Sequence, residues 1–184
     1  MVFLYPRANR IALLLFLLFL AAAAAGCRTA EEVPPGTLVI EGEGVKDRAL
    51  LTLDDLKAMA GGLVEADYFA INTYGTREYF RFKGVWVWHI IEETVDLKDT
   101  AGTVTFIGED GYTVQYSLEE VQREDYLDEE RPGAKLKMIL AWERDGEELA
   151  PEEGNPFQLV VGQREPGDVN KPYWVRNVRT IRID

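Results

Sequence analysis

The chain has 184 residues, of which 47% are hydrophobic and 28% charged, and its net charge is −12 at pH 7. An acidic chain without a basic cluster makes a poor partner for nucleic acid or anionic lipid, since both need Lys and Arg to neutralise phosphate. One cysteine and one histidine exclude a disulfide framework and offer no set of His and Cys ligands at the defined spacing of a metal site.

The first segment has three parts. Arg7 and Arg10 form a short positive region, Ile11 to Ala25 is an unbroken apolar run, and small residues lead into Gly26-Cys27. A basic start, a short apolar middle and a small-residue exit form the pattern of a secretory signal peptide. As a helix, the run spans about 22 Å against a hydrocarbon core of about 30 Å. Export is therefore favoured over a spanning helix, the competing reading, which Val2 to Tyr5 would lengthen.

Ala24-Ala25-Gly26-Cys27 resembles the lipobox of bacterial lipoproteins. The resemblance implies cleavage after Gly26 and acylation of Cys27, and more than one acyl chain gives stable anchoring. Ordinary cleavage after an alanine is the alternative. Residues 1–26 are thus expected to be a lipoprotein signal peptide, 27–36 the lipidated cysteine and a proline-bearing tether, and 37–184 a single domain. Removing residues 1–26 takes away two arginines and no acid, which moves the net charge from −12 to −14. The expected place is outside the cytoplasm, on the outer face of the cytoplasmic membrane or in the cell envelope. Membrane lipid is the expected partner through Cys27.

Within the domain, "TLVIEGEG" predicts a strand ending in a turn, and "LLTLDDLKAMAGG" a strand entering a short helix. Thr52 is its N-cap, with Asp55 three residues on, and Gly61-Gly62 stop it. "LVEADYFAI" and "EYFRFKG" predict strands joined by the turn-rich "NTYGTR". "VWVWHIIEETV" is too short for periodicity to separate a buried helix from a strand. "TVTFIGEDGYTVQYSLEEVQ" predicts a hairpin at Asp110-Gly111 followed by a capping box at Ser117 to Glu120. "AKLKMILAWERDGEEL" predicts a strand turning at Asp145-Gly146, and "NPFQLVVG" and "YWVRNVRTIRID" supply the last strands. The fold class is α+β and β-rich, with short helices interrupting mixed sheets.

Few residues carry obvious chemistry. His89 stands among Trp86, Trp88, Ile90 and Ile91, and reads as a packed, hydrogen-bonded histidine rather than a ligand or base. No G-x-S-x-G elbow is present. The acidic runs "EDYLDEE" (124–130) and "DGEELAPEE" (145–153) lack the calcium-loop pattern and read as solvated surface. "GEG" and "GEDG" read as turns rather than phosphate cradles. Most of Trp86, Trp88, Trp142, Trp174, Tyr79 and Tyr173 are expected in the core, whereas Tyr74 and Tyr112 beside turns are candidates for a binding rim.

The order of "LTLDDLKAM", "FKGVWVWHIIEE", "VTFIGEDGYTVQYSLEEV", "LAWERDGEELAPEEGNPFQLVVG" and "WVRNVRTIRI" resembles the molybdopterin-binding domain of the sulfite oxidase family. This implies that fold for about Thr37 to Asp184. Enzymes of the family hold molybdenum through a pterin dithiolene and one protein cysteine. That cysteine falls in the segment matched here by "YFAINTYGTREYF", where Ala70, Ile71, Asn72, Thr73 and Tyr74 supply no thiol. The family's arginine in "G-x-P-x-R-L-V" is Gln158 here. The implied cofactor, molybdopterin, therefore lacks its protein sulfur, and no residue is assigned a catalytic or metal-binding role. The expected function is a non-catalytic, membrane-anchored domain that binds a small ligand or a membrane protein partner. A molybdopterin oxidoreductase without the thiolate, and a structural subunit of a membrane complex, are the alternatives. Turn position and motif proximity single out Asn72, Tyr74, Arg77, Tyr112 and Lys171 as ligand-binding candidates.

Overall fold

The computed structural model describes residues 33–184. Residues 1–32, with the expected signal segment, Cys27 and the front of the expected tether, lie outside the described residues. In chain order the elements are β1 (Leu38–Glu41), β2 (Ala49–Leu51), α1 (Leu53–Ala58), β3 (Leu63–Ile71), β4 (Arg77–Trp86), α2 (Val87–Thr94), β5 (Thr103–Gly108) and β6 (Thr113–Ser117). They continue with α3 (Leu118–Gln122), β7 (Ile139–Arg144), β8 (Glu147–Glu148), β9 (Gln158–Val160) and β10 (Val178–Ile183), with 3₁₀ turns at Ala60–Gly62 and Lys171–Tyr173.

Two five-stranded sheets result. One runs β2-β1-β10-β5-β6; the other runs β3-β4-β7-β8, with β9 also paired to β7. The first sheet is mixed, because the strand nearest the start of the domain pairs in parallel with the last, Val39 beside Thr180 and Glu41 beside Arg182. The second is antiparallel throughout. Both sheets contribute to one core, with Leu38, Ile40, Val104, Phe106 and Ile181 from the first and Tyr68, Phe82, Val85, Leu140 and Leu159 from the second. This is the expected β-rich α+β architecture, in which the short helices fill turns between strands.

Local chemistry explains the helices. Thr52 and Ser117 each accept from the backbone N–H three residues on, while Asp55 and Glu120 reach back to the cap N–H, so both predicted capping boxes form. The ambiguous run divides: Val85 and Trp86 finish β4, and α2 then buries Val87, Ile90 and Ile91 at helical spacing. The division lies beside a bulge between Lys83 and Gly84. A Cβ on Gly84 would stand 2.3 Å from the Leu140 carbonyl oxygen, so only glycine lets β7 approach. The Asp145-Gly146 turn takes positive φ at both residues (54° and 89°), as a two-residue hairpin demands. The last predicted strand begins later than the sequence suggests. Lys171–Tyr173 form a 3₁₀ turn instead, and β10 starts at Val178 after Asn177 enters the left-handed region at φ 48°.

A buried amide joins the distant parts. Asn170 is fully buried, accepts from the Ile71 N–H at 2.9 Å, and donates to the carbonyls of Phe69 at 2.9 Å and Val161 at 3.1 Å. It completes the outer edge of β3 and ties it to the chain that leaves β9. Asn170→Leu strands the Ile71 N–H and the Phe69 carbonyl, while the Val161 carbonyl keeps the Trp174 indole N–H. It is expected to cost about 2–4 kcal/mol in a denaturant melt, with a Tm loss of roughly 5–15 °C. Ser117→Ala, which removes one cap, should cost about 1 kcal/mol.

Candidate functional site

The β3–β4 hairpin forms the first part of the candidate region. The Asn72 side chain accepts from the backbone N–H groups of Tyr74 and Thr76, each at 2.9 Å. That is an Asx turn, and it spends the amide oxygen on shaping the loop. Tyr74 projects from the tip, 94% exposed. Arg77, the first residue of β4, forms ion pairs with Glu129 at 3.2 Å and Glu130 at 2.7 Å.

Those two acids belong to "EDYLDEE", whose Glu124, Asp125 and Glu130 are exposed as its composition suggests but whose Asp128 is not. Backbone bridges of Tyr126 to Leu136 and Leu127 to Gln163 hold this loop against the domain, and they bury Asp128 to 1% exposure. Its carboxylate accepts from the Tyr79 hydroxyl at 3.0 and 3.1 Å and from the N–H groups of Glu130 and Arg131. Burial, this hydrogen bond and the adjacent negative charge together push the Tyr79 phenol up to about 12. The Arg131 guanidinium lies 4.4 Å over the Tyr79 ring and binds Asp67 at 2.8 Å. That bond holds the Asp67 carboxyl below its usual range; burial opposes it and Arg81 adds to it. Arg164 grips Asp168 through contacts at 2.9 and 3.0 Å and stacks over Tyr173 at 4.1 Å. Burial raises the Asp168 carboxyl, but the Arg164 hydrogen bonds outweigh it and leave the group low.

A cleft lies on the other side of β4. Phe80 and Phe82, two residues apart, present rings to the same side, and Trp174 meets both edge-on at 6.1 and 5.4 Å. Arg144 stands opposite Phe82 in the ladder and places its guanidinium 5.5 Å over Phe80. Lys171 brings its ammonium 4.7 Å over the same ring and pairs with Glu78 at 2.6 Å. Gln158 and Arg176 complete the walls, and Glu152 and Glu153 stand at the mouth of a cavity of about 170 Å³. A neighbouring depression of about 400 Å³ shares Lys171, Trp174 and Arg176 and adds Asp110, Tyr112 and Pro172. The Tyr112 hydroxyl donates to the Pro172 carbonyl at 2.6 Å.

The structure thus divides the five sequence candidates. Tyr112 and Lys171 meet in the depression, whereas neither cavity is lined by Asn72, Tyr74 or Arg77. Reasoning from turns missed Phe80, Phe82, Arg144 and Arg176. The alternation in "EYFRFK" signals that the two phenylalanines share a face, but only the strand register brings Arg144 beside them. His89 is half-buried with its ring against the backbone of Gly61 and Gly62, as expected of a packed histidine. The expected hydrogen bond is not formed among the described residues.

The donor set decides whether a thiolate-held molybdenum cofactor fits. Ala70, in the segment matched to the family's ligand, is fully buried at the end of β3, and the adjacent edge is closed by Asn170. Among the described residues no group of three or more His, Cys, Asp or Glu is placed to hold a metal ion. A buried methyl cannot replace a soft anionic sulfur. The cleft cations are engaged by Glu78, Glu153 and the Glu152 carbonyl. The residues present do not fit that cofactor held in the family's manner.

A family model for the oxidoreductase molybdopterin-binding domain matches residues 32–182. This bears out the resemblance and the fold drawn from the motif order. No curated protein matches the chain.

The shifted groups dictate a pH profile. Depressed carboxyls such as Asp67 and Asp168 contribute stability above the unfolded value of about 3.9, and that contribution is lost as pH falls through their lower folded values. Tyr79, raised in the fold, contributes fully below its unfolded value of about 10, and its contribution is lost as pH rises through the folded one. Thermal melts across pH should therefore fall off below about pH 4 and again above about pH 10. Tyr79→Phe should cost about 1.5–3 kcal/mol at pH 7, as expected for a bond to a charged acceptor, and should make the alkaline limb shallower.

Proposed function

The chain belongs to the oxidoreductase molybdopterin-binding domain family, and from that premise we propose that it is a membrane-anchored extracytoplasmic lipoprotein whose domain binds a small ligand instead of performing molybdenum chemistry. The observation that carries this reading is the buried Ala70 in the segment where the family places its thiolate. A fold can persist while its site is replaced. The only thiol is Cys27, which follows a signal-like segment and serves as the point of lipid attachment. The candidate ligand site is the cleft: half-buried Phe80, backed by the buried Phe82 and Trp174, gives it an apolar wall, and Arg144, Lys171 and Arg176 supply the charge that orients what lies beside it.

The family's cofactor, when bound through a thiolate, supplies a metal centre for oxygen-atom or electron transfer. Here the residues do something simpler. Aromatic rings exclude water from one face of a ligand, and paired cations select for negative charge. No proton or electron need move.

Two measurements test the reading. The full chain, extracted from membranes in detergent, should contain no stoichiometric molybdenum by metal analysis and no pterin by fluorescence after oxidation. Stoichiometric amounts of both would overturn it in favour of an oxidoreductase without protein thiolate. Feeding cells an alkyne fatty acid should label the wild-type chain, and Cys27→Ala should lose the label and leave the membrane fraction. Persistent labelling of that variant would defeat the lipoprotein assignment.

A further inference from the structure

We propose that the cleft seats a small aromatic carboxylate on Arg144, and that Glu153 is the internal carboxylate which such a ligand displaces. The inference rests on reading the cleft as the ligand site and adds the class of ligand and the contact that guards it. Three cations line the cleft, and the protein's own groups satisfy each differently. Lys171 is held by Glu78 at 2.6 Å, and Glu78 belongs to β4, where backbone pairing with Ala70 of β3 fixes it. Arg176 is exposed and donates to the Glu152 carbonyl at 2.9 Å. Arg144 makes a direct contact with the Glu153 carboxylate, and its other acid, Asp145, stands 3.6 Å away, beyond good hydrogen-bond length.

Of these partners, Glu153 is the carboxylate in direct contact with Arg144, and no strand holds it. It sits in the connection between β8 and β9, outside any strand. The Ala150 carbonyl there takes the N–H groups of Glu153, Gly154 and Asn155 at 2.9, 3.1 and 3.2 Å. One further bond, from the Ala150 N–H at 3.2 Å, holds the Glu153 carboxylate itself. Rotating this side chain out breaks no sheet pairing. A ligand carboxylate arriving at Arg144 replaces one charge-assisted bond with another of the same kind, so specificity comes from the rest of the ligand. The guanidinium lies over the Phe80 ring, and Trp174 stands edge-on to both phenylalanines. A flat apolar body attached to the carboxylate fits beside half-buried Phe80, with Phe82 and Trp174 buried behind it, and the volume of about 170 Å³ limits it to a small one.

The test is calorimetric titration of the detergent-extracted full chain with benzoate, and with benzyl alcohol as the uncharged control. Glu153→Gln should tighten benzoate at least about tenfold, equivalent to about 1.4 kcal/mol, and leave benzyl alcohol unchanged. Arg144→Gln should abolish benzoate binding in both backgrounds. Glu152→Gln removes a charge from the same mouth without touching the Arg144 contact, and should change the affinity less than twofold. Glu153→Ala repeats the measurement should the glutamine variant fail to fold. An unchanged benzoate affinity in the Glu153 variants, equal tightening by Glu152→Gln, or no benzoate binding by any variant would each overturn the proposal. None of these outcomes bears on the metal, pterin and lipid measurements, which decide the broader reading separately.

Discussion

The amide of Asn170 is the contact on which the rest depends. A side chain with both donor and acceptor, fully buried, is stable only when both ends are satisfied. Here they are satisfied by backbone groups of residues about a hundred positions away. The bond closes the edge of β3, which would otherwise expose unpaired backbone, and it sets the course of the chain from β9 toward Trp174. The Trp174 indole N–H donates to the same Val161 carbonyl that Asn170 engages, at 2.9 Å. One junction therefore fixes both the buried end of β3, in the segment matched to the family's ligand, and the aromatic wall of the cleft.

Charge is arranged around that junction in two ways. On the Asp128 side, arginines and carboxylates interlock about buried or half-buried acids, so the network serves the fold. Loop 124–131 stays against the sheets because Asp128 would otherwise be a buried charge without donors. On the Phe80 side, cations lean on aromatic rings and meet acids at the mouth of an open cleft. Such pairs contribute little to stability in water but give a ready set of exchangeable contacts. Arg144, Lys171 and Arg176 gather beside Phe80, each met by a group of the protein, and these exchangeable contacts support reading the cleft as the place where the domain meets a ligand.

Much of the fold was legible in the sequence. The capping boxes at Thr52 and Ser117 and the turns at Asp110-Gly111 and Asp145-Gly146 depend on interactions within a few residues, so local chemistry decides them. The motif order pointed to the family. The site was less legible. Asn72 and Arg77 were conspicuous beside a turn, but the turn itself consumes Asn72, and Arg77 is paired with acids fifty residues on. Asp128 looked like surface because composition cannot show that a loop is pinned on both sides.

By itself the sequence determined the local elements, the acidic character and the placement of its single thiol at Cys27, away from the domain. Those properties follow from residue identity and short-range spacing. Only the tertiary structure decided that Ala70 lies buried at a closed strand edge, that Arg144 faces Phe82, and that Glu153 reaches back to Arg144. Each of these depends on strand register and long loops, which join residues that carry no mark of one another in the chain.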